Sequence, residues 1–450
     1  MTQAKLIFRF MAIFMAISMS TIISAKGFSK YYGDHEKPDS EFMGAVYAMS
    51  NNFSANTVVA YGRSEDGKLT KIGEFRTGGE GAAFDGGEGL DPLISAYSLI
   101  LTDDRRFLLA VNAGSNSLSV FSINPDFSLK LNEEQRIRGG SIGPNSIAYR
   151  DGLVYVSVID SDGIFEGEPD QEGALVGFRL TRNGKLRPIS RSTRELGNRP
   201  GAVRFSPDGR FLIASSINAG SSALVSGSQD EIVVYGLKRN GRLTKKPVST
   251  AASTVPLNSD GRNLPTAIGF EVVRDRGKQF VVVTEAREFQ SDGSPPAFPA
   301  LQTGSVSTWE LDHYGRLIPI DLDVQTGTSQ ADGERTACWI QFAADGESFW
   351  VSNALESTLS SFSFDRGNIN LIKRIEASGT PPSDEDPFGT TDGWIDFWVS
   401  EDGLHLYQLF GLAGTIGVFE IENEGEGTGL TLIQTVTDLP DTNTQGIVAF

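Results

Sequence analysis

Residues 178–212 of the 450-residue chain read FRLTRNGKLRPISRSTRELGNRPGAVRFSPDGRFL. Runs of alternating apolar residues flank Asn183-Gly184, and a second pair of runs flanks Pro207-Asp208-Gly209. Asn-Gly and Asp-Gly favour tight hairpin turns because these residues tolerate the positive φ angles that such turns require. The stretch therefore predicts short antiparallel strands joined by tight turns.

This unit is repeated along the chain. Its mark is an aromatic residue, four or five polar positions, a turn that usually contains Gly, and an apolar residue that begins the next strand. The aromatic residues are Tyr61, Phe121, Phe178, Tyr235, Trp309, Phe362 and Phe419, and the apolar residues are Leu69, Leu129, Leu186, Leu243, Leu317, Ile369 and Leu430. Seven four-stranded units, about 28 strands, predict an all-β fold, a seven-bladed β-propeller over residues 43–450.

The repeat also predicts how the ring closes. The first copy begins with AVYAMSNN, residues 45–52, which matches the second strand of the later copies. The last five residues, GIVAF, match their innermost strand. We therefore expect the C-terminal strand to complete the first blade, which removes the open sheet edge that a ring of blades would expose.

The N-terminal segment has the pattern of an export signal. Lys5 and Arg9 precede an apolar run, residues 10–23, and the small residue Ala25 follows it. This pattern predicts a signal peptide over residues 1–25, a polar leader over residues 26–42, and a periplasmic or secreted protein without stable membrane insertion after processing. An uncleaved anchor is the alternative.

Composition limits the partners of the chain. It has 39 Lys and Arg against 57 Asp and Glu, a formal charge of −18, which argues against nucleic acid or an anionic membrane surface as a partner. One cysteine, Cys338, excludes an internal disulfide. We expect a monomer that takes a small polar or acidic ligand, without a cofactor. The acidic stretch 160–172 is interpreted as a solvated loop, and Ca²⁺ binding there stays open as the alternative.

Turn lengths predict which face carries function. The first-to-second and third-to-fourth connections are tight turns, whereas the connections on the opposite face include long ones. These run over residues 76–93, 159–173, 215–230, 285–303 and 377–392. Long loops within a compact repeat tend to carry function, so we expect the site on this long-loop face near the axis.

Residues at the channel mouth follow from the repeat register. The innermost strands are predicted to begin near Tyr97, Asn145, Gly201, Thr266, Cys338, Trp394 and Gln445. The predicted ligand-binding residues are Asn145, Arg199, Thr266 and Trp394, and the neighbouring loops add Arg262, Glu285, Arg287, Glu334 and Arg335. Mixed arginines, carboxylates and aromatic residues suit a small polar or acidic ligand. Alternatively, the arginines pair with loop acids and only stiffen the rim.

Three stretches carry a resemblance to a known family: YAMSNNFSANTVVAY at 47–61, FLLAVNAGSNSLSVF at 107–121 and SPDGRFL at 206–212. With the repeated Gly-x-Leu pattern, they resemble the lactonase-like seven-bladed propellers, which include propeller-type 6-phosphogluconolactonases and carboxy-cis,cis-muconate cyclases. The resemblance extends from Met43 to Phe450. It implies chemistry that opens or forms a lactone ring without a redox cofactor.

One position departs from that family. Its enzymes have a histidine after Gly-Pro on an inner strand, whereas Asn145 follows Gly143-Pro144 here, and asparagine cannot carry a proton near neutral pH. Two hypotheses remain. Either the protein is a lactonase or lactonising cyclase that uses Glu285, Arg287 and Arg335, with Glu285 transferring the proton, or it is a non-catalytic propeller that binds a ligand, glycan or protein on the long-loop face.

Overall fold

The computed structural model describes residues 42–82, 91–138, 143–159, 173–196, 199–217, 232–251, 264–289, 304–327, 336–354, 356–376, 393–424, 427–440 and 443–450. All of them lie in one compact unit, Phe42–Phe450. Within these ranges, no helix is long and apolar enough to cross a membrane. The predicted signal peptide and nearly all of the leader lie outside the described residues.

Seven antiparallel sheets form the unit, as the repeat predicts. From the innermost strand outwards, blade 1 consists of β30 (Ile447–Ala449), β1 (Gly44–Met49), β2 (Thr57–Arg63) and β3 (Leu69–Arg76), and blade 2 consists of β4 (Leu99–Leu101), β5 (Phe107–Asn112), β6 (Ser117–Ile123) and β7 (Leu129–Arg136). Blade 3 consists of β8 (Pro144–Arg150), β9 (Leu153–Val158), β10 (Ala174–Leu180), β11 (Leu186–Pro188) and β12 (Arg194–Glu195). Blade 4 consists of β13 (Arg199–Phe205), β14 (Phe211–Ile217), β15 (Ile232–Gly236) and β16 (Ser249–Ala251). Blade 5 consists of β17 (Leu264–Asp275), β18 (Lys278–Phe289), β19 (Ser305–Leu311), β20 (Leu317–Pro319) and β21 (Val324–Gln325). Blade 6 consists of β22 (Ala337–Phe342), β23 (Ser348–Asn353), β24 (Thr358–Asp365) and β25 (Asn368–Glu376). Blade 7 consists of β26 (Trp394–Val399), β27 (His405–Phe410), β28 (Thr415–Glu424) and β29 (Gly427–Val436).

The repeated aromatic residue forms the core of every blade. All seven copies lie on the third strand, and each is at most 7% exposed. The described residues form 30 strands, two more than the expected 28, because the outer strand is broken in two blades. In blade 3, β11 and β12 both pair with β10, and in blade 5, β20 and β21 both pair with β19.

The predicted closure of the ring is confirmed. β30 pairs antiparallel with β1, which places Tyr47 opposite Val448 and Val46 opposite Ala449. The amide of Ala45 also donates to the carbonyl of Phe450 at 3.2 Å. The sheet of blade 1 therefore joins the first and last strands of the described residues.

The innermost strands of blades 3 to 7 share a β-bulge near the end that faces the long loops. Each has one residue more than the second strand opposite it, and the extra residue falls at Asn145, Gly201-Ala202, Ile268-Gly269, Cys338 and Ile395-Asp396. A bulge interrupts the ladder of hydrogen bonds and redirects the backbone groups around it. The five bulges therefore free backbone carbonyls from the sheet ladder, and these carbonyls need other donors.

Candidate functional site

The central channel is crossed near the bulges by residues 91–98, which we call the axial segment. The hydroxyl of Ser95 donates to the Asn145 carbonyl at 2.8 Å, and the Ala96 amide donates to the Gly201 carbonyl at 3.2 Å. The carbonyl of Ser95 accepts from Trp339 Nε1 at 3.1 Å and from Gln445 Nε2 at 2.8 Å. Inner strands on several sides of the ring thus bond to one short piece of chain.

The axial segment satisfies two of the bulge carbonyls, those of Asn145 and Gly201. Carbonyls at the other three bulges accept from side chains of second strands, Ser215, Thr284 and Gln408. A buried carbonyl without a partner is costly, so the bulges and the segment stabilise each other. Its backbone is unusual, because Ile94 and Tyr97 have φ angles of 46° and 65°. A β-branched residue at positive φ is a marked outlier, which persists only where the surrounding contacts fix it.

Tyr97 anchors the axial segment in a buried polar cluster. Its hydroxyl shares one proton between two acceptors, the Phe270 carbonyl at 2.9 Å and Glu271 at 3.0 Å. Arg204 Nη2 lies 2.6 Å from both oxygens of Glu271, and the guanidinium lies 4.2 Å from the centre of the Tyr97 ring. Burial and the Glu271 carboxylate raise the pKa of Tyr97 well above its usual value, so the phenol stays neutral and donates.

A second buried group lies at the bulge of blade 7. The side chain of Asp396 is held by backbone amides of Ile447 and Phe397. Burial raises the pKa of Asp396 well above its usual value, against those two amides, and the nearby Asp91 carboxylate raises it further. Asp91 itself accepts from Gln445 Nε2 at 2.6 Å. The axis therefore brings the carboxyl groups of Asp396 and Asp91 close together, and burial favours the protonated form of Asp396.

Asn145 lies at the bulge of blade 3, and its side chain is engaged within the fold. Its residue is fully buried, its Nδ2 donates to the Pro200 carbonyl at 2.7 Å, and its Oδ1 accepts from the Ser157 hydroxyl at 2.7 Å. Together with the bond from Ser95, these contacts join blades 3 and 4 to the axial segment. A ligand at Asn145 would have to replace at least one of them.

Three other predicted residues lie together at the long-loop ends of blades 4 and 5. Arg199 begins β13, and Gly201 on that strand packs against Ile268 of β17. Thr266 lies opposite Ala286 and is 2% exposed. The neighbouring residue of β18, Glu285, is fully buried and accepts a hydrogen bond from the Ser305 hydroxyl of β19. The structure thus places a basic, a hydroxyl and an acidic group on neighbouring strands.

The remaining predicted residues either lie elsewhere or have side chains outside the described residues. The indole of Trp394 is 4% exposed and packs on Phe410 and Phe419, 5.3 and 5.6 Å between ring centres, inside blade 7. The backbone of Arg287 belongs to β18, but its side chain lies outside the described residues, as do Arg262, Glu334 and Arg335. The binding and catalytic roles of all these residues stay predictions.

Across the described ranges, no three His, Cys, Asp or Glu side chains are placed to hold a metal ion. The acidic stretch 160–172 lies outside those ranges, so the question of Ca²⁺ there stays open.

Three ionisable groups along the axis were not identified from the sequence: Arg204, Glu271 and Asp396. Each stands in a short apolar run, AVRF, GFEV and WIDF. Charged residues are seldom buried unless they are paired. An acid or a base inside a predicted innermost strand therefore indicates a buried polar contact, and the sequence contained that signal. What the sequence could not provide is their pairing, because Arg204 and Glu271 belong to different blades.

Comparison with known proteins supports the fold. No protein-family model and no curated protein matches the chain. Among solved structures, a candidate 6-phosphogluconolactonase of Bacteroides fragilis matches with a TM-score of 0.59 and 16% identity over 92% of this chain and 100% of its own. A periplasmic gluconolactonase of Pseudomonas aeruginosa matches with a TM-score of 0.56 and 15% identity over 90% and 99%.

A protein named for a different property also has a similar fold. A hypothetical selenium-binding protein of Sulfolobus tokodaii matches with a TM-score of 0.58 and 11% identity, over 90% of this chain and 92% of its own. At these identities the likeness establishes a shared propeller fold, and function has to be argued from the site.

Proposed function

We propose that the protein is an exported lactonase-like enzyme that opens or forms the ring of a small lactone, of the sugar-lactone or muconolactone type, on the long-loop face. The observation that carries the proposal is Glu285, a buried carboxylate at the long-loop end of blade 5 with Arg199 on the neighbouring blade. The fold shared with proteins named as lactonases adds support. Export is supported by the N-terminal pattern and by the periplasmic location stated for the Pseudomonas protein.

The chemistry that this site would perform is general base catalysis. Glu285 removes a proton from water as the oxygen adds to the lactone carbonyl, and the resulting oxyanion lies against a guanidinium. The ring C–O bond then breaks, and the proton passes to the leaving alkoxide. The hydroxyl of Ser305 donates to one Glu285 oxygen and so fixes the carboxylate plane. Arg199, Arg287 and Arg335 are the candidates for the guanidinium.

The alternative, a non-catalytic propeller that binds a ligand on the same face, is favoured by one observation. Asn145 occupies the position of the family histidine, and its amide is already bonded to Pro200 and Ser157. In that case the long-loop face would bind a glycan, a small ligand or a protein without turning it over.

The proposal is tested with a panel of sugar and muconate-type lactones. Their hydrolysis is monitored through the protons that the product acids release. We expect turnover by the wild type and a loss of about 100-fold or more in Glu285→Gln, since a general base contributes roughly 10²–10⁴-fold. Glu310→Gln is the matched control, because Glu310 is on β19 of the same blade and pairs with Lys278 at the surface. Wild-type rates equal to the buffer rate for every lactone would rule out the enzyme and leave the binding protein.

A further inference from the structure

The charge of the molecule is strongly segregated. Two stretches of blades 3 and 4, residues 179–194 and 238–246, contain eleven Lys and Arg and no Asp or Glu. Since the whole chain has a charge of −18, the rest of the protein has a charge of −29. We call the basic side chains of these two stretches the basic patch. The net charge of the chain conceals this patch.

The two stretches form one surface. They are the hairpin turns and outer edges of neighbouring blades, and arginines of blade 3 reach the hairpin of blade 4. Arg179 Nη2 donates to the Asn240 carbonyl at 3.0 Å, and Arg194 Nη2 donates to the Leu243 carbonyl at 2.7 Å. These contacts place the basic side chains of the two blades side by side.

The charges of the basic patch are largely uncompensated. Among the described residues, only Arg187 of the patch has an ion pair, with Glu133 at 3.8 Å. Arg179 and Arg194 donate to backbone carbonyls instead, which hold the side chain without neutralising it. Arg182, Arg191, Arg239, Lys245 and Lys246 are exposed. Because like charges repel, such a surface gains most from an anionic partner.

A groove extends the basic patch towards blade 2. Its volume is about 190 Å³, and its lining includes Arg106, Ser122 and Arg182. The guanidinium of Arg106 donates to the Arg182 carbonyl at 3.2 Å. The groove is smaller than a typical pocket for a drug-sized ligand, about 300–1,000 Å³, so it suits one acidic group of a longer chain.

The chemistry of the basic patch selects among anionic partners. Seven of its eleven cations are arginines, and a planar guanidinium can donate two parallel hydrogen bonds to one carboxylate or sulfate. Neither stretch contains an aromatic residue on which a nucleic-acid base could stack. Of the three leucines of the stretches, Leu186 and Leu243 are fully buried and Leu180 is half-buried, so no exposed leucine is available to insert into a bilayer. A wide anionic membrane would also repel the remaining, strongly acidic surface.

We infer that the basic patch binds an anionic polysaccharide. A flexible chain of acidic sugars can follow the turns of two blades and place an acidic group in the groove at Arg106 and Arg182. This inference is independent of the lactone chemistry, because the patch lies on the turns and outer edges of blades 3 and 4, whereas Glu285 lies at the long-loop end of blade 5.

Binding of the full-length protein to polygalacturonate, measured by calorimetry at low and high salt, tests the inference. The variant R182Q/R239Q/K245Q/K246Q removes four exposed cations of the basic patch. The control K68Q/R276Q/K278Q/R366Q removes four exposed cations from blades 1, 5 and 6, so both variants have the same net charge. Neutral dextran, duplex DNA and phosphatidylglycerol vesicles are measured in parallel.

We expect polygalacturonate binding that weakens as salt rises, and a loss of at least about tenfold in the patch variant, since each cation near an anionic surface is worth about fivefold. The control variant should bind like the wild type. Equal losses in the two variants would show that only the net charge matters and would overturn the inference. No binding by the wild type at low salt, or tighter binding to DNA or to vesicles, would overturn it as well.

Discussion

The axial segment makes a quantitative prediction for Tyr97→Phe. The substitution keeps the ring that lies under Arg204 and removes only the hydroxyl, which bonds to the Phe270 carbonyl and to the Glu271 carboxylate. A neutral hydrogen bond contributes about 1 kcal/mol, and a bond to a charged group contributes about 1.5–3 kcal/mol. Because the hydroxyl has only one proton for both acceptors and Glu271 keeps Arg204 as a partner, we expect a loss of about 1.5–3 kcal/mol in the free energy of unfolding, the value of one bond to a charged group.

Tyr155→Phe is the matched control. Its hydroxyl is also buried, but it donates to a single neutral acceptor, the Gly241 carbonyl, at 2.8 Å. We expect this variant to lose about 1 kcal/mol, as is usual for one neutral bond. Urea unfolding gives both values, provided that the m value is unchanged, so that the shift in midpoint reports stability and not compactness.

Amide hydrogen exchange locates the effect. If the Tyr97 hydroxyl anchors the axial segment, the amides of residues 91–98 should exchange faster in Tyr97→Phe and at the wild-type rate in Tyr155→Phe, because loss of an anchor lowers the cost of local opening. A loss of stability in Tyr97→Phe no larger than in the control, with unchanged exchange over 91–98, would refute the role that we assign to the cluster.

Three further predictions concern pH and packing. Because the pKa of Asp396 is raised, its proton binds more tightly to the folded state than to the unfolded state. The stabilisation from this proton is complete below the unfolded pKa of about 3.9 and is lost as pH rises through the folded pKa. The urea midpoint of Asp396→Asn should therefore rise relative to that of the wild type as pH increases above about 4. Burial lowers the pKa of His405, whose ring packs on Gly67, so stability should fall as pH drops below about 6.5, and His405→Gln should remove that slope. Gly269→Ala should lower the melting temperature by several degrees, because its Cβ would lie 2.2 Å from the Cys338 carbonyl oxygen.

The blades could be predicted from sequence because their signal is local. An aromatic residue on the third strand, a turn with Gly and an apolar residue on the fourth strand recur together, and each element needs only its neighbours in the chain. The closure by residues 446–450 was predictable for a different reason: the repeat register left one innermost strand missing at the start and one extra at the end.

The axial segment could not be predicted in this way. Its sequence, DPLISAYS, looks like an ordinary connection between blades, and Tyr97 looks like the start of an innermost strand. Its conformation depends on carbonyls of Asn145, Gly201 and Phe270, which come from three blades distant in sequence. Bulges leave little trace in the hydrophobic pattern, because one extra residue changes the register without changing composition.

The same contacts explain why Asn145 should not be read as a simple loss of the family histidine. Its Nδ2 donates to Pro200, its Oδ1 accepts from Ser157, and its carbonyl accepts from Ser95 of the axial segment. Asn145→His places a larger ring in a fully buried site and disturbs the two side-chain bonds. Overpacking of this kind costs about 1–3 kcal/mol.

We therefore expect Asn145→His to be less stable than the wild type in urea and to show no gain in lactone turnover. Asn145→Asp separates the two causes, because it keeps the size of the side chain but cannot donate to the Pro200 carbonyl. It should lose stability without overpacking. If Asn145→His kept the wild-type urea midpoint and hydrolysed lactones faster, the position would be a vacated catalytic site. The contacts of Asn145 to Pro200 and Ser157 would then be replaceable, and the axial segment would have to be held by the other blades alone.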